Sequence, residues 1–150
     1  MQSQKEGKIA EASFDYLLME ISKSNYEPLD QMGFRIGYSI VEKMTKDKPR
    51  MVDILDKVKF ICKDFWMGVF QKQVDNLKAN HSRGIYVLTD NSFRIISKLS
   101  SDSISGEQAT LFYSQYLALP CGIIRGALYN LGLPCSVMAE VTSCPSCNYY

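Results

Sequence analysis

Two cysteines near the end of this 150-residue chain have the spacing of a redox pair, in the segment Cys144-Pro145-Ser146-Cys147. Dithiol oxidoreductases place such a pair where a helix begins, because the helix dipole lowers the pKa of the first thiol. Only three residues follow Cys147 here, too few for that helix. Zinc would need two further ligands, and no second cysteine pair is present. We therefore predict a loop leading into a last strand, with no metal site.

Other groups that could do chemistry have equally ordinary interpretations. His81 is the only histidine, and its predicted place in a turn favours a role in stabilising that turn. Gly122 and Gly126 do not indicate a phosphate-binding loop, because no strand leads directly into their predicted helix. The carboxylates that follow Pro49 fall on the polar side of another helix. We therefore expect no enzyme activity and no cofactor.

The composition is typical of a single globular domain, which we expect to cover residues 9–150 after a flexible N-terminus of residues 1–8. The net charge is +1 with interleaved signs, so no basic stripe indicates nucleic-acid binding. The longest apolar runs are far shorter than the ~20 residues of a membrane-spanning helix. The first residues do not resemble a signal peptide, which predicts a cytosolic protein. Five cysteines, an odd number, argue against a disulfide framework.

Apolar residues at helical spacing predict three helices in the first half of the chain. The first covers Ile9 to Ser22, and its stripe contains Phe14, Leu17, Leu18 and Ile21. The second follows a break at residues 25–28 and continues to about Lys46. The third follows Pro49. The stripe of the second helix consists of Leu29, Met32, Gly33, Ile36, Gly37, Ile40, Val41 and Met44.

Two glycines one turn apart interrupt the stripe of the second helix. Each of them costs roughly 1 kcal/mol relative to alanine inside a helix, so a compensating function is expected. Gly33 and Gly37 would leave a shallow groove in which another helix can approach closely. That helix could belong to the same core or to a partner, and the sequence favours neither. For Gly122 and Gly126, which lie in a strongly apolar segment, internal packing is favoured.

The pattern changes after Phe70. Residues 74–80 and 85–90 predict two strands joined by a glycine-containing turn, and residues 93–99 fit either a strand or a packed loop. A helical region begins near Glu107; we expect Pro120 to interrupt it and to open a fresh helix that stops at Gly132. Residues 135–141 predict a final strand. The predicted fold is α+β, with helices on one face of a small antiparallel sheet.

Several ungapped blocks resemble the subunit 6 group of the transport protein particle (TRAPP) small subunits. Together they cover most of the chain between Asp30 and Val141, which makes them far more specific than one motif. The last block is similar to a helical signature shared by the small TRAPP subunits more widely. The blocks are Met32 to Gly37, Lys59 to Trp66, Val69 to Leu77, Asn80-His81, Gly84 to Asn91 and Cys121 to Leu128.

The resemblance implies a fold of the TRAPP α/β-plait type and a non-catalytic role in a vesicle-tethering complex between endoplasmic reticulum and Golgi. Family members form a heterodimer with another small subunit and contact further TRAPP subunits. The assembly promotes nucleotide exchange on a Rab-family GTPase, which this subunit would meet only indirectly. The resemblance thus implies a cytoplasmic protein, peripherally associated with cis-Golgi and endoplasmic reticulum membranes through the complex.

The resemblance also implies a partner interface on the first two helices. Carried onto this chain, the interface comprises Phe14, Leu17, Leu18, Ile21, Leu29, Met32, Gly33, Ile36, Gly37 and Ile40.

An alternative function is an acyl- or lipid-binding module with an apolar cavity. A relative in the wider family carries an acyl chain on a cysteine, and Cys62 and Cys121 both lie in apolar helices. Core packing is the default interpretation for both thiols.

Overall fold

The computed structural model describes residues 26–99 and 107–150. The predicted first helix, with Phe14, Leu17, Leu18 and Ile21, and the polar segment 100–106 lie outside these ranges. The elements in chain order are α1 Tyr26–Thr45, α2 Ile54–Phe60, a π-helical turn Ile61–Phe65, α3 Trp66–Phe70, β1 Asn76–Asn80, β2 Ile85–Asp90, α4 Arg94–Leu99, α5 Glu107–Asn130, β3 Ala139–Ser143 and β4 Ser146–Tyr149.

The four strands form one antiparallel sheet in the order β1-β2-β4-β3. Alternate residues of β2 and β4 are buried, as in Leu88 and Asp90 or Cys147 and Tyr149, so one face of the sheet meets the core. The helices supply the other side of that core, with Trp66 among its largest buried side chains. The predicted α+β architecture is confirmed.

Helices α1 and α5 pack with their backbones in contact, at four glycines. A Cβ atom on Gly37 would lie 1.9 Å from the Ile123 carbonyl oxygen, and one on Gly126 would lie 2.0 Å from that of Phe34. Gly33 and Gly122 are equally crowded by backbone atoms of the opposite helix. Both glycine pairs therefore serve intramolecular packing, and α5 fills the groove that the sequence left open to a partner.

Helix α5 continues through Pro120, and the predicted interruption there is wrong. Proline inside a helix removes a hydrogen bond and costs about 3 kcal/mol. All residues from Tyr116 to Ile124 are buried, so the packing of this segment offsets that cost. The predicted stop at Gly132 is confirmed: its φ is 79°, and Leu133 N–H donates to the Leu128 carbonyl at 2.9 Å, as in a Schellman motif.

The predicted third helix contains a π-helical turn between α2 and α3. At this turn the Cys62 carbonyl accepts a hydrogen bond from Val74 N–H at 3.0 Å. Gln71 ends α3 in the left-handed conformation, with φ 62°. The chain therefore folds back against its own helix before it enters β1.

Two other predictions after Phe70 need correction. Residues 94–99 form helix α4 instead of a strand or a loop. The final strand does not begin at Cys135, because β3 exists only where β4 lies beside it, from the pair Ala139 and Tyr149 onward. A strand alternation in a single segment cannot show where its partner begins.

Replacing Gly126 by alanine should destabilise the protein by about 1–3 kcal/mol, because the new methyl group would collide with the backbone of α1. Gly68→Ala is the matched control. Its Cβ would contact only the flexible end of Met44, at 3.3 Å or more, and alanine favours the helix by about 0.5–1 kcal/mol. Urea unfolding followed by circular dichroism measures both changes. Equal losses in the two variants would contradict backbone contact at Gly126.

Candidate partner-binding surface

The contact with α5 divides the predicted interface residues of α1 into two groups. Leu29, Gly33 and Gly37 are buried against the chain's own core. Met32 and Ile36, one turn apart, are 44% and 38% exposed, which is high for large apolar side chains. Ile40 is partly buried against the core. Of the predicted set within α1, only Met32 and Ile36 therefore remain as a substantial apolar surface.

An aromatic cluster on the opposite flank of α1 was missed by the sequence analysis. Phe34 lies 5.5 Å from Tyr129 and 6.3 Å from Tyr38, measured between ring centroids. Both tyrosines are exposed, and the Asn130 amide donates to the Tyr38 carbonyl at 3.3 Å. The spacing of Phe34 and Tyr38 by one helical turn was a visible signal, but Tyr129 joins them only through the packing of α5.

The partner of Arg125 also comes from α1. Its guanidinium forms an ion pair with Asp30 and lies over the Phe34 ring, 4.7 Å from the centroid. A charged group between two helix-packing glycines needs such a partner. The pair is one third exposed, so it contributes more to the orientation of the two helices than to stability.

Among the residues that the structure describes, the most buried charged group is Asp90, at the end of β2, with an exposure of 0%. Its carboxylate accepts hydrogen bonds from Trp66 Nε1 at 3.0 Å, Lys72 Nζ at 2.6 Å and Ser92 N–H at 3.0 Å. These partners satisfy the carboxylate and join α3 to the sheet. Such a site is structural, because its oxygens are already engaged by the protein.

Lys72 connects Asp90 to a second carboxylate, that of Asp75, at 2.8 Å. Partial burial lowers the pKa of Lys72, but hydrogen bonds to Asp75 and Asp90 outweigh it and leave the pKa above its usual value. Hydrogen bonds from Lys72 and from Asn91 N–H hold the pKa of Asp75 below its usual value. Both carboxylates at the base of the β1–β2 hairpin are thus paired.

The candidate redox cysteines do not form an accessible pair. Cys144 is exposed in the turn before β4, whereas Cys147 is buried within that strand. Burial raises the pKa of Cys147 to about 12. Phe93 N–H donates to the Pro145 carbonyl at 3.1 Å and anchors the turn. The segment is the predicted loop leading into a last strand.

The other buried thiols are also in unreactive surroundings. Burial raises the pKa of Cys62 to about 11 and that of Cys121 to about 12, so both stay protonated at neutral pH. His81 lies in the turn between β1 and β2, 6.0 Å from the Tyr86 ring, as expected for a turn residue. No helix within residues 26–99 and 107–150 combines the length and the apolar character needed to cross a membrane.

Comparisons with known proteins agree with this fold. The profile of the family described as transport protein particle (TRAPP) component matches residues 3–149. Human trafficking protein particle complex subunit 6B is 52% identical over 121 residues, 81% of this chain and 73% of that protein. Human subunit 6A is 42% identical over 127 residues, 85% of this chain and 77% of that protein.

A similar solved structure is that of trafficking protein particle complex subunit 3 from Naegleria fowleri, covalently bound to palmitic acid. Its TM-score is 0.66 at 15% identity, and the match covers 97% of this chain and 95% of that one. At this identity the likeness concerns the fold alone.

In the native protein, iodoacetamide at neutral pH should label the exposed Cys135 and Cys144 at least tenfold faster than the buried Cys62, Cys121 and Cys147. Partial burial raises the pKa of Cys135 as well, so the difference rests on access of the reagent to the thiol. Peptide mass spectrometry before and after unfolding in urea measures the difference. Labelling of Cys147 as fast as that of Cys144 would indicate an accessible dithiol.

Stability should fall as the pH drops below about 4, the usual pKa of aspartate, partly through Asp75. Folding lowers the pKa of Asp75, so its ionised carboxylate stabilises the folded protein at pH values above the unfolded-state pKa. This stabilisation is lost as the pH falls through the folded-state pKa. In the Asp75→Asn variant, the free energy of unfolding should decrease less steeply as the pH is lowered. Asp53→Asn is the control, since that side chain makes no capping hydrogen bond. Identical declines in wild type and D75N would disprove this role.

Proposed function

Because the chain belongs to the TRAPP component family, in its subunit 6 group, we propose that it is a non-catalytic structural subunit of a TRAPP vesicle-tethering complex. The observation that carries this proposal is the family match along residues 3–149. The relatives are subunits of a trafficking complex, and the proposed task of this chain is to present surfaces to neighbouring subunits.

The environment of the reactive side chains supports a non-catalytic role. Asp90 is fully buried and its carboxylate is engaged by three donors. A general base must instead reach a proton of the substrate. The thiols of Cys62, Cys121 and Cys147 have raised pKa values, the opposite of what a nucleophile requires.

The proposed heterodimer with another small TRAPP subunit uses the apolar edge of α1, namely Met32 and Ile36. Because these side chains are 44% and 38% exposed, burying the surface that remains would contribute about 0.5–1.5 kcal/mol each, a fraction of the value for a fully exposed side chain. A stable interface buries about 1,600 Å² in total, far more than two side chains supply. We propose that the predicted first helix, with Phe14 to Ile21, supplies further apolar area.

The role of the complex is a further part of the proposal. We infer that the assembled complex promotes nucleotide exchange on a Rab-family GTPase and acts between endoplasmic reticulum and Golgi. This chain would meet the GTPase and the membranes only through other subunits. A pull-down from cytosol that identifies the co-purifying proteins tests both the complex and its GTPase.

The environment of Cys62 and Cys121 gives little support to the alternative function of acyl binding. Both thiols are buried with raised pKa values, which disfavours nucleophilic attack on an activated acyl group. The palmitic acid belongs to the subunit 3 structure, which resembles this chain in fold. A fatty-acyl mass loss after hydroxylamine treatment of the purified protein would restore the alternative.

Ile36→Glu should abolish co-purification with the partner subunit, because it places a charge in the apolar centre of the proposed interface. Helix content should stay unchanged, since the side chain is 38% exposed. Gly37 is unsuitable for this test, because any side chain there would disrupt the contact with α5.

Val52→Glu is the matched control: Val52 is 85% exposed in the segment before α2, and its replacement should leave co-purification intact. Undiminished partner binding by Ile36→Glu, with small TRAPP subunits co-expressed, would reject the assigned interface.

A further inference from the structure

The apolar edge of α1 contains a side chain whose polarity can be changed chemically. Met32 is 44% exposed and lies one helical turn before Ile36. The thioether of methionine is apolar, whereas its sulfoxide, formed by peroxides, is polar and chiral. The two oxidation states of Met32 should therefore differ in how well they fit an apolar interface.

The other methionines of the described ranges have different surroundings. Met44 and Met51 are partly buried against the core, which restricts the access of an oxidant. Met67 in α3 and Met138 before β3 are 44% and 68% exposed, but neither lies on α1. Among the residues that the structure describes, Met32 is thus the exposed methionine that belongs to the proposed partner surface.

We propose that Met32 is an oxidation-sensitive site that controls assembly with the partner subunit. The oxidant is a peroxide. The sulfur loses two electrons, the O–O bond of hydrogen peroxide breaks, one oxygen atom bonds to the sulfur and the other leaves as water. This inference rests on the proposed function, because it takes Met32 to be part of the heterodimer interface.

The sulfoxide opposes binding because of its oxygen atom, which is a hydrogen-bond acceptor. In the free subunit this oxygen can be hydrated, since the Met32 side chain is exposed, and the fold should stay unchanged. In the heterodimer it would be buried next to Ile36, whose side chain offers no donor. Burying a polar group without a hydrogen bond costs free energy, so the oxidised subunit should bind its partner more weakly.

The effect depends on when the oxidant acts. Met32 is accessible in the free subunit, whereas a bound partner would cover it. Oxidation should therefore prevent assembly rather than dissociate a complex that has already formed. Methionine sulfoxide reductases reverse the change: two thiols are oxidised to a disulfide, and the sulfoxide oxygen leaves as water.

A modification-interference experiment tests this site without substituting Met32. The exposed thiols of Cys135 and Cys144 are first alkylated, and the full chain is partially oxidised with hydrogen peroxide, which catalase then removes. The chain is mixed with a limiting amount of the immobilised small TRAPP subunit that co-purifies with it. Peptide mass spectrometry of the bound and unbound fractions should show at least tenfold less Met32 sulfoxide in the bound fraction.

Met67 is the matched internal control, because it has the same exposure of 44% on a different helix. Its sulfoxide should be equally abundant in both fractions. Treatment of the unbound fraction with methionine sulfoxide reductase should restore binding. An equal distribution of Met32 sulfoxide between the fractions, or an equal depletion of Met67 sulfoxide, would overturn the proposal.

Oxidation of the preformed heterodimer separates a failure of this proposal from a failure of the assigned interface. Met32 should be oxidised at least tenfold more slowly in the heterodimer than in the free chain, whereas the rate at Met67 should change little. Unprotected Met32 in the intact heterodimer would reject the interface, and the proposal with it. Protection of Met32, combined with full binding of its sulfoxide, would reject the oxidation-sensitive site alone.

Discussion

The backbone contact between α1 and α5 is the constraint on which the rest of the structure depends. Four glycines allow two helices to approach so closely that any Cβ atom would meet an opposing carbonyl or backbone nitrogen. This contact sets the rotation of α1 about its own axis. Met32 and Ile36 are consequently turned to one flank, and Phe34 and Tyr38 to the other. The surfaces available to partners therefore follow from an internal packing requirement.

A second constraint, the buried Asp90, orients the sheet relative to the helices. Its bonds to Trp66 and Lys72 connect α3 with the end of β2, and burying a carboxylate without such partners would be costly. Lys72 also pairs with Asp75, so the two acidic groups at the base of the hairpin share one lysine.

Local signals predicted much of this fold correctly. Strand β2 and the stop at Gly132 follow from nearby residues, through strand alternation and the left-handed conformation that glycine tolerates. Predictions failed where distant contacts decide. Pro120 stays inside a helix because its neighbours are buried, and the start of β3 depends on where β4 lies. Of the predicted interface within α1, Met32 and Ile36 are exposed, whereas Leu29 is buried in the core and both glycines face α5.

By itself, the sequence determined the family, the helical and strand periodicities and the presence of two glycine pairs able to admit a close helix. Only the tertiary structure decided that these pairs meet each other and that Arg125 is neutralised by Asp30. The reason is physical: a residue pattern specifies which face of an element avoids water, but not which neighbour covers it. That choice belongs to contacts between residues far apart in the chain, such as Asp30 and Arg125.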